Sequence, residues 1–172
     1  DKHWSRGLGD VYKRQLQLNA GAEVVMIFDS TAHQLAEEDL NIYLEKTFNM
    51  LVKEFPNKVG YYAKDGVNYE TIIAKQDDPQ INLAGMGIDS NVDLRDFFKK
   101  TSYGFVQGNF SEHFLTLPHE EFLPKLDTFI EEMSALSPEE RSGWVCGLGH
   151  GVLKTTPQEN VTEFVQRIRA SC

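Results

Sequence analysis

The stretch Ala22-Glu-Val-Val-Met-Ile-Phe28 is a short run of apolar and β-branched residues bounded by Gly21 and Asp29. This composition is typical of a strand that is buried on both faces, as in a parallel sheet. A stretch with helical periodicity follows over residues 36–55 and ends at Pro56. Its apolar stripe comprises Leu40, Ile42, Tyr43, Thr47, Leu51 and Val52. The sequence therefore predicts a strand followed by an amphipathic helix.

The same pattern recurs along the rest of the chain. Further strands are predicted at residues 58–63, 85–88, 103–107 and 143–148, and further helices at 69–75, 92–100, 120–136 and about 156–170. Ser137-Pro-Glu-Glu140 is a capping-box pattern that predicts one short turn before the last strand. Five strands that are each followed by a helix predict an α/β fold with a parallel sheet and right-handed crossovers. A closed eight-stranded barrel needs about 250 residues, so five units in 172 residues are too few to close one, and a (β/α)8 TIM barrel would be incomplete in this chain.

Composition excludes several classes of protein. No apolar run reaches the roughly 20 residues that cross a bilayer. The two cysteines, Cys146 and Cys172, have no paired spacing, which argues against a disulfide framework or a zinc knuckle and favours a reducing cytoplasm.

Residues 1–15 differ in composition from the rest of the chain. Ser5-Arg-Gly-Leu-Gly-Asp-Val-Tyr-Lys-Arg-Gln15 resembles an in-frame translation of a transposase-type sequencing adapter. We therefore predict that residues 1–15 are a non-native leader and that residues 16–172 belong to the protein itself. The alternative is a basic N-terminal arm or a first helical turn. Without the leader the formal charge changes from −9 to −11, and so acidic a surface argues against nucleic acid and anionic membranes as partners.

Polar residues follow every predicted strand. They are Asp29-Ser30, Lys64-Asp65, Asp89-Ser90, Gln107-Gly-Asn109 and Gly149-His150-Gly151. In a (β/α)8 barrel these positions open onto the face that holds the active site. We therefore predict one cleft, with Asp29, Lys64, Asp89, Gln107 and Asn109 as candidate lining residues. Turn formation is the alternative role for Ser30, Ser90 and Asn109, whereas a histidine between two glycines favours a functional role for His150.

Several of these segments resemble one known family. Gly143-Trp-Val-Cys-Gly-Leu-Gly-His-Gly-Val-Leu-Lys-Thr-Thr-Pro-Gln-Glu-Asn-Val-Thr-Glu-Phe-Val165 resembles the ending of uroporphyrinogen decarboxylases, whose pattern is LGHGI followed by TP, ENV and a final helix. Ile27-Phe-Asp-Ser30, Gly87-Ile-Asp89 with Val92-Asp93, and Val106-Gln-Gly-Asn109 occur in the order of that family's other motifs. The resemblance covers nearly all of residues 20–170 and implies that the chain is roughly the last five β/α units of the barrel.

The resemblance also implies a function. Members of the family remove the four acetate carboxyls of uroporphyrinogen to give coproporphyrinogen in haem synthesis. Ser30 matches a hydroxyl residue that hydrogen-bonds a substrate carboxylate, and His150 matches a histidine that contacts a substrate acid group. The implied protein is a homodimer without metal or organic cofactor. The cysteines favour the cytoplasm, and a plastid location is the alternative.

Some of the family's features are not in this chain. Its arginine-rich motif and the aspartate that stabilises the protonated intermediate lie upstream, so we expect the chain alone to contain no catalytic residue and to be inactive. Four residues depart from the family's usual pattern, namely Thr31, His33, Ser90 and Ser111. A divergent lineage explains them, and so does a related enzyme with an altered substrate.

Two other kinds of enzyme remain as alternatives. A corrinoid or thiol methyltransferase of the same superfamily binds zinc through a His-x-Cys pair, and no such pair occurs in this sequence. A glycoside hydrolase barrel needs two carboxylates roughly 5 to 10 Å apart, for which Asp29 and Asp89 are the candidates.

Overall fold

A computed structural model of the chain describes residues 2–64, 69–76, 81–101 and 104–171. The strands are β1 Val25–Asp29, β2 Val59–Ala63, β3 Gly85–Gly87, β4 Phe105–Phe110 and β5 Trp144–Leu148. The helices are α1 Lys2–Asn19, α2 Glu37–Leu51, α3 Tyr69–Gln76, α4 Leu94–Lys100, α5 His119–Ser134 and α6 Gln158–Ser171. Short 3-10 turns occur at Ala32–Gln34 and Phe114–Thr116.

The strands follow one another in a five-stranded sheet with the order β1-β2-β3-β4-β5. β1 pairs with β2, β2 with β3 and β4 with β5, and all three pairs are parallel. The predicted α/β class and the repeated β/α unit are thereby confirmed. The chain divides into two compact units, Asp1–Gly87 and Ile88–Cys172.

In the first unit, α2 covers one side of β1 and β2. Leu40, Leu44, Phe48 and Val52 are no more than 2% exposed and recur every four residues. Ile42, which the sequence places in the apolar stripe, is instead 54% exposed. The buried stripe follows the i, i+4 row of the helix, and Ile42 lies two residues off that row.

In the second unit, α5 and α6 pack against Phe110 of β4. The core cluster contains Phe110, Leu115, Phe122, Leu126 and Phe164. Phe110 is at its centre, with its ring centroid 5.2 Å from those of Phe129 and Phe164. Such aromatic pairs add stabilisation beyond the area they bury.

Most predicted boundaries lie within a few residues of the observed ones, but β4 differs. The sequence ends this strand at Gln107 and puts Gly108 and Asn109 in the following loop, whereas the strand continues to Phe110 and pairs with β5 as far as Leu148. Gly108 is a common turn former, which is why the pattern predicts an early end.

The predicted capping box forms a short turn, as expected. The Ser137 backbone N–H donates to Glu140 Oε2 at 2.9 Å, and the Glu140 N–H donates to Ser137 Oγ at 3.2 Å.

Within the described residues, no helix is both long and apolar enough to cross a membrane.

Asn160 fixes α6 to the 3-10 turn that precedes α5. Its side chain is fully buried, and its Nδ2 donates to the carbonyls of Leu115 at 3.0 Å and Leu117 at 2.9 Å. Its Oδ1 lies 2.8 Å from His119 Nδ1. One amide thus satisfies two buried backbone acceptors, which would otherwise be costly to bury.

Replacing Asn160 by alanine removes these bonds and leaves two buried carbonyls without their donor. We expect Asn160→Ala to lower the free energy of unfolding by about 1–3 kcal/mol, measured by urea denaturation. Asn41→Ala is the matched control, because Asn41 is exposed and its amide donates only to the Glu37 carbonyl of its own helix. Equal effects of the two substitutions would contradict this role for Asn160.

Candidate functional site

Asp29 is the last residue of β1, and its side chain lies on the side of the sheet covered by α2. It pairs with Ala63, two residues after Tyr61 in β2, and Tyr61 packs edge-to-face against Phe48 of α2. Because side chains alternate along a strand, the preceding Phe28 points to the opposite side, where it is 68% exposed. Asp29 is only 6% exposed.

The Asp29 carboxylate accepts hydrogen bonds at both oxygens. Oδ1 accepts from the Thr31 N–H, the Thr31 hydroxyl and the Ala32 N–H at 3.0, 3.1 and 2.9 Å. Oδ2 accepts from the hydroxyls of Tyr43 at 2.6 Å and Tyr61 at 2.9 Å. The carboxylate therefore bonds to the following turn, to α2 and to β2.

These contacts determine the protonation state of Asp29. Burial alone would raise the pKa of its carboxyl, but the hydrogen bonds, with that from Tyr43 the largest, outweigh burial and hold the pKa below its ordinary value. Burial and the adjacent carboxylate raise the pKa of Tyr43 to about 12, and they raise the pKa of Tyr61 as well. Near neutral pH the group is thus a carboxylate with two phenolic donors.

The other predicted residues of the first unit differ in exposure. Ser30 follows Asp29 directly and is exposed, so its hydroxyl is accessible. Lys64 follows β2 and is half-buried. Asp65, predicted beside it, lies outside the described residues.

In the second unit, Asn109 connects β4 to the loop after β3. Asn109 is 8% exposed, and its Nδ2 donates to the carbonyls of Asp89 at 2.8 Å and Val92 at 2.6 Å. Asp89 is 5% exposed and its Oδ1 accepts from the Asn91 N–H at 2.9 Å. Both polar side chains therefore form hydrogen bonds with the backbone of the loop after β3.

Two close backbone approaches bring the strand ends of this unit together. Gly108 has a φ of +141°, and a Cβ there would lie 2.7 Å from the Ile88 carbonyl oxygen. A Cβ on Gly149 would lie 2.3 Å from the Ser90 nitrogen, and the Gly149 N–H donates to the Phe110 carbonyl at 2.8 Å. Only glycine fits at these positions. His150 follows immediately and is exposed.

The remaining candidate and the four departures lie near these strand ends. Gln107 is half-buried in β4, with its side chain 3.7 Å from where a Cβ on Gly147 would be. In the first unit, Thr31 bonds Asp29 and the half-buried His33 is part of the 3-10 turn. In the second, a cavity of about 660 Å³ has Ser90, Asn109 and Ser111 among its lining residues.

Sequence reasoning missed the two tyrosines that bond Asp29. Tyr43 is part of the predicted apolar stripe, and Tyr61 is inside a predicted strand, so both were expected only to fill the core. A usable signal exists, because a buried tyrosine hydroxyl requires a hydrogen-bond partner. Asp29 is a suitable acceptor, because it ends the strand that precedes the helix of Tyr43 and the strand of Tyr61.

Among the described residues, no group of three or more His, Cys, Asp or Glu side chains is close enough together to hold a metal ion. The chemistry that these strand ends offer is hydrogen-bond donation, from the Ser30 hydroxyl in one unit and the His150 ring in the other. A hydroxyl or imidazolium donor suits a carboxylate ligand, to which it makes a short, charge-assisted bond.

Parallel strands with crossover helices, and polar groups at the carboxyl ends of the strands, are features of the β/α-repeat class of enzymes. Comparison with known families makes the assignment specific. The sequence model of the uroporphyrinogen decarboxylase (URO-D) family matches residues 10–171. The chain belongs to this family.

Curated relatives agree with this assignment. Uroporphyrinogen decarboxylase of Prochlorococcus marinus subsp. pastoris is 29% identical over 170 residues, which cover 95% of this chain and 45% of the relative. The enzyme of Orientia tsutsugamushi (strain Ikeda) is 28% identical, with 89% and 44% covered. That of Desulfotalea psychrophila is 26% identical, with 90% and 43% covered. The chain thus spans less than half the length of these relatives.

The low pKa of Asp29 predicts a pH-dependent contribution to stability. Because its pKa is lower in the folded than in the unfolded chain, the carboxylate stabilises the fold above about pH 4 and loses this effect as the pH falls through the folded pKa. Asp29→Asn replaces one accepting oxygen by an amide. We expect it to cost about 1.5–3 kcal/mol at pH 7, and we expect this deficit to shrink in acid.

The measurement is the free energy of unfolding of both proteins between pH 3 and pH 7, a window set by the usual aspartate pKa of about 3.9. Asp39→Asn, in the exposed first turn of α2, is the control for loss of one negative charge. A deficit that is constant with pH would contradict the account.

Proposed function

We propose that this chain is the carboxyl-terminal part of an enzyme that decarboxylates the four acetate side chains of uroporphyrinogen, giving coproporphyrinogen in tetrapyrrole synthesis. The observation that carries the proposal is the family match over residues 10–171, which includes both exposed donors at strand ends. In this proposal Ser30 and His150 each donate a hydrogen bond to a carboxylate of the substrate.

The charge of this chain indicates which part of the complete enzyme binds the substrate carboxylates with cations. Uroporphyrinogen carries eight carboxylates, whereas this chain has a formal charge of −9. Most cations that bind the substrate must therefore come from elsewhere in the complete enzyme, where the family resemblance implies an arginine motif and an aspartate. There a pyrrole ring is protonated, carbon dioxide leaves from the attached acetate, the methylene carbon takes up a proton to become a methyl group, and the ring releases the proton that it gained first. Residues 16–172 supply binding donors.

Two properties of the complete protein rest on the family resemblance alone, namely the homodimeric state and the absence of a cofactor. The cytoplasmic location, with a plastid as the alternative, rests on the cysteine usage, and the absence of nucleic acid and anionic-membrane partners rests on the acidic charge. The assignment of residues 1–15 to a non-native leader rests on their sequence. The family match begins at residue 10 and α1 runs from Lys2 to Asn19, so the native reading frame over residues 10–15 distinguishes a leader from a first helix of the protein.

The test begins with the uninterrupted reading frame upstream of Leu16, recovered from the source DNA and expressed. Anaerobic incubation with uroporphyrinogen is expected to yield coproporphyrinogen, whereas the 172-residue chain alone is expected to be inactive. Ser30→Ala and His150→Ala are each expected to raise KM about 10- to 100-fold, because each removes a hydrogen bond to a charged group. Ser142→Ala, at an exposed serine before β5, is the control and should leave KM unchanged.

Other outcomes would overturn the proposal. Zinc binding by the complete protein, with uroporphyrinogen unchanged, would favour the methyltransferase. Conversion of a glycoside would favour the hydrolase. A native reading frame that continues through Ser5 to Gln15 would disprove the leader assignment and leave the decarboxylase proposal to the activity assay.

A further inference from the structure

The turn that presents Ser30 is fixed from one side by Asp29. The three donors to Asp29 Oδ1 belong to Thr31 and Ala32, the two residues directly after Ser30. An aspartate that bonds backbone N–H groups two and three residues later closes a compact turn. Ser30 is inside this turn, so its backbone has little freedom while Asp29 Oδ1 keeps its bonds.

The opposite oxygen attaches the same turn to two rigid elements. Tyr61 is completely buried in β2, and its hydroxyl donates to Oδ2 at 2.9 Å. Its ring packs edge-to-face on Phe48, with the ring centroids 5.1 Å apart. Tyr43 is half-buried on α2 and donates at 2.6 Å. The carboxylate is thereby held from a strand and from a helix at once.

Asp29 itself is poorly suited to contact a ligand on the opposite face of the sheet. Its side chain points to the side covered by α2, whereas Phe28 points away from that side and is exposed. Both of its oxygens already accept hydrogen bonds. Asp29 and Tyr43 line the same cavity of about 430 Å³ as Ser30, but because both Asp29 oxygens are already bonded, its expected role in substrate binding is an indirect one.

We propose that Asp29, Tyr43 and Tyr61 form a positioning group that holds the Ser30 hydroxyl in the orientation in which it binds a substrate carboxylate. This proposal rests on the proposed function, because it requires Ser30 to bind substrate. The three residues do not touch the substrate. They reduce the freedom that the Ser30 turn would lose on binding, and preorganisation of this kind strengthens binding without a new contact.

A double-mutant cycle in the complete enzyme tests the proposal. Tyr61→Phe and Tyr43→Phe each remove one hydroxyl and retain the ring. Each is expected to raise KM about 3- to 10-fold with kcat changed less than about twofold. In a Ser30→Ala background the same substitutions are expected to have no further effect on KM, because no hydroxyl remains to be positioned.

Tyr69→Phe is the matched control, since Tyr69 is a buried tyrosine of α3 in the same unit and is not a donor to Asp29. It is expected to leave KM unchanged. Tyr43→Phe, at a half-buried position, keeps the test available if the fully buried Tyr61→Phe fails to fold.

The outcomes separate the two proposals. If Ser30→Ala leaves KM unchanged, the substrate role of Ser30 is wrong. If Ser30→Ala raises KM but the tyrosine substitutions have equal effects with and without Ser30, or no effect, Ser30 binds substrate and the positioning group is wrong. Loss of the tyrosine effect only in the Ser30→Ala background supports both.

Discussion

A buried carboxylate must have its lone pairs satisfied, and the local structure at the end of β1 follows from that constraint. Desolvation disfavours the ionised form of Asp29, and only several donors acting together make the carboxylate stable. The fold supplies them from the turn after β1, from α2 and from β2. Removing any of these donors would leave the buried carboxylate less well bonded. The packing of the first unit therefore determines the geometry of Ser30, the residue that follows Asp29.

In the second unit, backbone contacts and the Asn109 side-chain amide order the strand ends. Asn109 bonds the carbonyls of the loop after β3, and glycines at 108 and 149 allow the backbone to approach residues 88–90 where any side chain would collide. His150 follows the second of these glycines and is exposed. In each unit, therefore, a buried polar group or a glycine contact orders the backbone, and the next residue carries an accessible donor.

The sequence was sufficient to predict the fold because both relevant periodicities are strong. The apolar run before Asp29 and the helical spacing after it predict β1 and α2, and the same contrast repeats along the chain. The end of β4 was predicted too early, because the sequence alone cannot distinguish Gly108 in a turn from Gly108 in close contact with Ile88. Asp29 and Asn109 were selected as cleft candidates because they follow predicted strands. Position at a strand end does not reveal which side of the sheet a side chain faces. The tyrosine donors were missed for a related reason: apolar patterning treats a buried tyrosine as a hydrophobic residue and ignores its hydroxyl.

The most direct test of the account is a crystal structure of the complete enzyme with a tetrapyrrole carboxylate bound, for example coproporphyrinogen under anaerobic conditions. The account predicts that Ser30 Oγ and a ring nitrogen of His150 lie within about 3.2 Å of ligand carboxylate oxygens, while Asp29 keeps its bonds to Tyr43 and Tyr61. A ligand contacted by the Asp29 carboxylate itself, with Ser30 and His150 distant from it, would contradict the account.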